Sequence, residues 1–418
     1  MKRSRQPALP CLALLLLSAG LACSKHDFAT CDITQSACQE DIYYKMLSLR
    51  GDAYDPFGSL PSVTVISEAQ YRAILEEEAA TTAQNGPSPW DKGLVLLHFT
   101  STASSQVDAG TGVDGGAGSD AGTSTSDIDY TAAHTYAFYS WKTKDVTIIS
   151  HSDQTDNSAQ ADAMISLAHE LVHALQDREF DLDKSSTTSD DYYANDTIVE
   201  GDARFYEYLF TKDLCPHISG CKSVYTLTYE LDYYWSHFDA LGSPLNAATM
   251  LVYPLGGKYE NTVYDSGGNA AVRHAYAKAP QHTVGFLIGD DGIMPPVSAN
   301  DVCPLAAKAL PLQGDSVGAD QFGALLFYTF LRGWGVAHEV AFTTAQTWAG
   351  DFLLVQANTD FSTTAVSWRI EFSAAPPASV VQALTATGEL TVKTEAQALQ
   401  ITVSDSTTPI EWMTVRCQ

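Results

Sequence analysis

The sequence predicts an α+β protein with a small mixed β-sheet lobe, a mainly helical lobe and a β-rich C-terminal tail. Short runs of β-branched and aromatic residues, the composition typical of strands, occur before residue 151. Two longer runs with apolar residues at helical spacing follow, at residues 160–178 and 198–209. Strand-like segments return after residue 352. This order of strands, helices and again strands indicates an α+β fold.

The chain is long and strongly acidic. Its 418 residues can bury one large core or two smaller ones. It contains 50 Asp and Glu against 23 Lys and Arg, a formal net charge of -27. Because such a surface repels phosphate backbones, no nucleic acid partner is predicted. The composition leaves the oligomeric state unknown.

Residues 1–22 have the pattern of a secretory signal peptide. Basic residues near the start are followed by the apolar run 12–17, which is too short for a stable membrane span. The segment 20–23, Gly-Leu-Ala-Cys, resembles a bacterial lipobox. It implies a lipid on Cys23 and membrane attachment as an outer-membrane or cell-surface lipoprotein. The alternative is ordinary cleavage after Ala22, which would give a secreted protein; both alternatives predict export.

The cysteines predict disulfides, because export places them in an oxidising compartment. With Cys11 in the signal and Cys23 lipidated, the rest of the eight form an even set. Loop length favours the pairs Cys31–Cys38, Cys215–Cys221 and Cys303–Cys417. Other pairings stay open.

The region before the first long helix contains short elements and one low-complexity segment. Residues 23–61 form a tether, a cap or a pro-segment, with a helical piece at 42–49. Residues 101–127 consist almost wholly of Ser, Thr, Gly, Ala and Asp, so we predict a disordered insertion that interrupts a hairpin. The other elements predicted here are the strands 63–66, 93–99, 135–139 and 146–150 and the helix 68–80.

The predicted helix at 160–178 carries a His-Glu-x-x-His motif. Because residues four apart lie on one face of a helix, His169 and His173 can present their imidazoles to the same point. That geometry suits two ligands of a tetrahedral Zn²⁺. Glu170 lies beside the first ligand and can take a proton from a zinc-bound water. The alternative is a chance occurrence of the pattern within a helix.

A second predicted helix follows a polar loop at 181–195 and carries Glu200 and Ala203 as E-x-x-A. This pattern after His-Glu-x-x-His resembles the gluzincins, the thermolysin-like zinc peptidases. The resemblance implies that Glu200 completes a His₂Glu zinc site and that Ala203 lets the two helices approach. It also implies one zincin-like domain over residues 62–418, with a peptide substrate added to the sheet edge. Without the resemblance, Glu200 would be interpreted as a solvated helix-face glutamate.

The resemblance extends loosely from about residue 165 to about residue 372. Residues 169–177 and 199–203 are similar to a group of bacterial secreted zinc-metallopeptidase-like proteins with the motifs HELTHALQDQ and EGDA. One departure concerns Arg204, which stands where thermolysin has an aspartate that supports a ligand histidine. Further motifs of the group, Y-x-x-G, GG-x-x-x-V, W-x-G-D and V-x-W, are matched by residues 253–256, 267–272, 348–351 and 366–368.

Supporting residues are expected around the ligands and the reacting atoms. Ligand histidines normally donate their second N–H to a carboxylate or a carbonyl, and Asp177 and Asp202 are the candidates. The alternative for each is an exposed aspartate on a helix face. Developing negative charge needs a donor, and the resemblance implies a Tyr or His from the later lobe. Tyr253 is the first choice, although a core role is the alternative; behind it come Tyr259, Tyr264 and His282.

The later part of the chain is predicted to be helical from about residue 223, including 322–331. The pair His338-Glu339 is not a second metal motif, because no histidine follows at the right distance. The tail is expected to contain the strands 352–356, 366–372, 389–392 and 399–403.

Together these patterns predict an exported zinc-dependent metallopeptidase with Glu170 as general base and a peptide or protein as substrate. One alternative is a zinc-binding, catalytically weak surface lipoprotein that binds a protein or an envelope component. The other is a structural lipoprotein in which the histidine motif is incidental.

Overall fold

The computed structural model describes residues 30–51, 60–85, 88–100, 125–152, 156–183, 185–218, 221, 227–288, 315–357 and 363–405. These residues form a mixed α+β fold with two small sheets and many helices, which confirms the predicted class. No helix among them is apolar over a length that could cross a membrane.

The N-terminal part combines helices with a three-stranded sheet. In the sheet, β3 (Asp145–Ser150) is central, parallel to β1 (Ser62–Ser67) and antiparallel to β2 (Ala137–Ser140). The edge strand β2 packs against the first long helix, α5 (Asn157–Phe180). The N-terminal part also contains the helices α1 (Ser36–Leu49), α2 (Glu68–Asn85), α3 (Pro89–Leu96) and α4 (Thr125–His134).

The centre of the molecule is helical. Helix α5 begins where Asp156 accepts hydrogen bonds from the backbone N–H groups of Ser158 and Ala159. Helix α6 begins in the same way at Thr188. Such side-chain caps satisfy N–H groups that have no partner within the helix. The helices after α5 are α6 (Ser189–Leu214), α7 (Leu227–Ser236), α8 (Pro244–Ala277), α9 (Val284–Ile288), α10 (Gly323–Gly333) and α11 (His338–Ala345).

A five-stranded antiparallel sheet forms the C-terminal part. Its strands lie in the order β4 (Asp315–Asp320), β5 (Trp348–Ala357), β6 (Thr364–Phe372), β8 (Ala398–Ser404) and β7 (Thr391–Glu395). Helices α3 and α10 both contact β5, so this sheet and the helical centre share one core. This part also contains the helix α12 (Ala378–Thr385).

Asp351 joins this sheet to α10. Its buried carboxylate accepts the backbone N–H groups of Phe322 and Gly323, where α10 begins, and the indole N–H groups of Trp348 and Trp368. The W-x-G-D and V-x-W motifs thus converge on one carboxylate of the core. Their contribution in this chain is to the fold.

Most of the predicted elements are present, and one is wrong. The strands and helices predicted around the sheet, in the helical centre and in the tail overlap observed elements, although α1 and α6 begin well before residues 42 and 198, where the sequence placed their starts. Residues 93–99, predicted as a strand, belong mostly to α3. A capping box of Ser88 and Asp91 starts this helix, with Pro89 in the first turn. A short apolar run does not by itself distinguish a strand from a buried helix.

Two other expectations have partial outcomes, and a third is wrong. The polar loop predicted at 181–195 is shorter, because α6 already begins at Ser189. The predicted insertion lies largely outside the described residues, and its last three residues begin α4. That segment separates α3 from α4, so it does not interrupt a hairpin.

The disulfides Cys31–Cys38 and Cys215–Cys221 are confirmed. The pair Cys303–Cys417 and the predicted signal lie outside the described residues.

Helix α1 packs on α5 and α6 and contributes buried residues such as Ile42 and Met46 to the core.

Candidate metal centre

Helices α5 and α6 bring the side chains of His169, His173 and Glu200 together in the core. The Nε2 atoms of His169 and His173 lie 3.1 and 3.5 Å from Oε2 of Glu200. One potential ligand atom from each residue lies within 4.8 Å of the others. Within the described part of the chain, this is the one group of three or more such side chains that could hold a metal ion. These three candidate ligands, His169, His173 and Glu200, are called the metal-ligand group below.

Neighbouring charges and hydrogen bonds shift the pKa values of His169 and Glu200 in opposite directions. Burial would lower the pKa of His169, but hydrogen bonds to Glu200 and Glu207 raise it well above its ordinary value. Burial would raise the pKa of Glu200, yet the neighbouring His173 and His169 hold it far below its ordinary value. A divalent cation would compensate the same carboxylate charge.

Glu170 contacts the edge of the three-stranded sheet. Its Oε2 accepts the backbone N–H of Tyr139, at 2.8 Å, from the edge strand β2. The Tyr139 hydroxyl donates to Asp177, two turns further along α5. One strand residue thus fixes both carboxylates. Glu170 directly follows His169 in the chain, and its carboxylate is hydrogen-bonded to the sheet edge.

A series of charged side chains contacts Nδ1 of His169, the ring nitrogen that is not directed at Glu200. This Nδ1 atom lies 3.0 Å from Oε2 of Glu207, one more carboxylate of α6. Arg204 pairs with Glu207 and, through two nitrogens, with Glu230 of α7. Burial would raise the pKa of Glu207, but Arg204 and His169 lower it to about 2. The Glu207 carboxylate is therefore ionised and can hold an Nδ1–H of His169.

A second chain supports His173. Its Nδ1 atom lies 2.8 Å from Oε1 of Gln176. The amide nitrogen of Gln176 donates to the carbonyl oxygen of Val199 and to Oδ2 of Asp202, each at 2.8 Å. Arg50, the residue after α1, donates to the same Oδ2 at 2.7 Å. All of these side chains are buried.

The two aspartates predicted to support the histidines therefore behave differently. Asp202 reaches His173 through Gln176. Asp177 instead accepts from the Tyr139 hydroxyl, from Lys144 and from the backbone N–H of Leu182. It fixes the β2–β3 hairpin and the end of α5.

Sequence reasoning missed the groups that contact the imidazoles, Glu207 and Gln176. The helical spacing of these residues from the candidate ligands could have indicated both. Glu207 follows Glu200 by two turns, and Gln176 follows His173 by three residues.

Tyr253 of α8 lies beside the site, whereas the other three candidates for a donor lie elsewhere. Its ring centre is 6.1 Å from that of His169. Tyr259 packs on Phe286 and Tyr264 on Phe205 in the core. His282 binds Asp190 at the N-terminal end of α6, about 15 Å along the helix from Glu200.

Comparisons with protein-family models, with curated proteins and with solved structures gave no significant match to this chain. The resemblance to gluzincins thus stays a prediction.

Proposed function

We propose that this protein is an exported zinc-dependent metallopeptidase of the gluzincin type. The proposal depends on one observation: ligand atoms of His169, His173 and Glu200 lie within 4.8 Å of one another, and Glu170 follows the first ligand. Two imidazoles and one carboxylate are the donor set of hydrolytic zinc sites, which keep a fourth position for water or substrate.

The surrounding residues fit that chemistry. When bound, zinc would act as a Lewis acid and make water more acidic. Glu170, fixed by the backbone N–H of Tyr139, would accept a proton from the attacking water and pass it to the leaving amine. Tyr253, beside His169, would donate to the developing oxyanion. A peptide would pair with the edge strand β2, next to Glu170.

The proposed location is outside the cytoplasm. The disulfides Cys31–Cys38 and Cys215–Cys221 support an oxidising compartment. They agree with the signal-like N-terminus and with either lipidation at Cys23 or release.

Metal analysis combined with a peptidase assay tests the proposal. Wild type should contain one equivalent of zinc and cleave casein or a panel of fluorogenic peptides. Glu170→Gln should keep the zinc and lose turnover, whereas His169→Ala should lose both. Equal turnover by wild type and Glu170→Gln would overturn the mechanism. Zinc binding without any turnover would favour the surface-binding alternative, and absence of zinc would remove the metal site.

A further inference from the structure

The hydrogen-bond chain behind His173 has a fixed direction. The amide nitrogen of Gln176 contacts two groups that can only accept, the carbonyl oxygen of Val199 and the Asp202 carboxylate. This fixes the orientation of the amide, so its oxygen faces Nδ1 of His173. Because an amide oxygen can only accept, Nδ1 of His173 must carry the proton.

The far end of this chain lies on the N-terminal helix. Arg50 follows α1 and is held by Asp202 at 2.7 Å, by Glu179 at 3.6 Å and by the ring of Tyr206 at 4.9 Å. The carbonyl of Leu49, at the end of α1, accepts a hydrogen bond from Asn269 of α8. The position of Arg50 is thus fixed from α5, α6 and α8.

We propose that α1 is a constituent of the metal centre: Arg50, through Asp202 and Gln176, holds His173 in the Nδ1–H tautomer that turns Nε2 toward Glu200 and the metal. Arg50 and Gln176 are positioning residues, since each acts on the metal-ligand group only through His173. The inference deepens the proposed function and rests on it for its zinc readout. The tautomer itself exists without metal and can be measured separately.

The first experiment reads the tautomer in metal-free, full-length protein labelled with ¹⁵N-histidine. Long-range ¹H–¹⁵N spectra show which ring nitrogen carries the proton, and His173→Asn assigns the signal. The spectra are recorded over a series of rising pH values until the ring of His173 is neutral, and that neutral ring should be in the Nδ1–H form in wild type. Gln176→Leu and Arg50→Met should give a mixture of forms. A wild-type Nε2–H form would overturn the inference.

Lys45→Met is the matched control. Lys45 also joins α1 to α6, through a 2.6 Å ion pair with Asp213, but that pair is exposed and remote from Gln176. The control should keep the wild-type tautomer. If Arg50→Met behaves like Lys45→Met, α1 is only a packing element and the inference fails.

Arg50→Met leaves the buried Asp202 charge uncompensated, which can prevent folding. The double variant Arg50→Met/Asp202→Asn removes both charges and keeps the shapes similar. It should fold and still show the mixed tautomer, whereas a wild-type spectrum from it would overturn the role of the Arg50–Asp202 pair.

Zinc affinity, measured by chelator competition, gives the second readout. Gln176→Leu should bind zinc about 10- to 100-fold more weakly than wild type. Arg50→Met should change in the same direction by a smaller factor, and Lys45→Met should match wild type. If wild type binds no zinc, the proposed function fails while the tautomer result still decides this inference.

Discussion

Gly201 and Gly256 bring the backbones of α6 and α8 into direct contact, one residue after Glu200. A Cβ atom on Gly201 would lie 2.4 Å from the Cα of Gly256. A Cβ atom on Gly256 would lie 1.8 Å from the carbonyl oxygen of Thr197. This contact is what places Tyr253, one turn before Gly256, beside the metal-ligand group.

Gly256→Ala should therefore destabilise the protein strongly. The added methyl meets backbone on the facing helix, which cannot move aside as a side chain can, so we expect a loss of about 3 kcal/mol in the free energy of unfolding. Denaturant unfolding measures it. Gly257→Ala is the control, because its Cβ would meet a movable Leu227 side chain at 3.1 Å. The control should change stability by less than about 1 kcal/mol. Equal stability of Gly256→Ala and wild type would contradict the close packing.

The sequence predicts α5 and α6, the helices that carry the candidate ligands, because their signals are local. His169 and His173 share a helix face through a spacing of four residues, and that spacing needs no tertiary information. Strand and helix assignments in the tail rest on similar local periodicity. The resemblance motifs also mark real features: the glycine of Y-x-x-G allows α8 to touch α6, and the aspartate of W-x-G-D anchors α10.

The residues that support the two histidines could not be predicted from the sequence, because they depend on how the helices face each other. Asp177, Asp202 and Glu207 all lie on the two central helices, and only the packing decides which carboxylate meets an imidazole. The role of Arg50 is even harder to predict from the sequence. It belongs to a segment with little periodicity, and its partner Asp202 is far along the chain.

Removal of the carboxylate that supports His169 should weaken metal binding. Glu207→Ala leaves Nδ1 of His169 without its acceptor, so zinc affinity should fall about 10- to 100-fold. Glu207→Gln retains an acceptor oxygen and should lose less. Chelator competition measures both. The matched control is Glu389→Ala, which removes an exposed carboxylate 2.9 Å from Nε2 of His98, and it should bind zinc like wild type. Wild-type affinity of Glu207→Ala would exclude a supporting role.

Loss of the Tyr139 hydroxyl should reduce stability and leave the metal-ligand group intact. Tyr139→Phe removes a buried hydrogen bond to the Asp177 carboxylate, which corresponds to about 1.5–3 kcal/mol in the free energy of unfolding. The backbone N–H of residue 139 still donates to Glu170, so zinc content should not change. Tyr44→Phe, at an exposed tyrosine of α1, should have no measurable effect. A large loss of zinc in Tyr139→Phe would show that the hairpin position depends on this hydroxyl.

His282 should make stability depend on pH near neutrality. Its hydrogen bond to the buried Asp190 raises its pKa above the ordinary 6.5, although burial opposes the shift; Asp191 and Asp351 act in the same direction as Asp190. Since the folded protein binds this proton more tightly, the stabilisation is complete below pH 6.5 and is lost as pH rises through the folded pKa.

The variant His282→Gln tests this origin, since a glutamine amide can still donate to Asp190 but does not titrate. Urea unfolding at a series of pH values should show wild type losing stability above pH 6.5 and His282→Gln changing less. At pH 6 the variant should be less stable by about 1–3 kcal/mol, the range for a hydrogen bond to a charged group. His134→Gln, at an exposed histidine that contacts the carbonyl of Tyr130 in its own helix, should retain the wild-type slope. A wild-type slope in His282→Gln would assign the pH dependence to other groups.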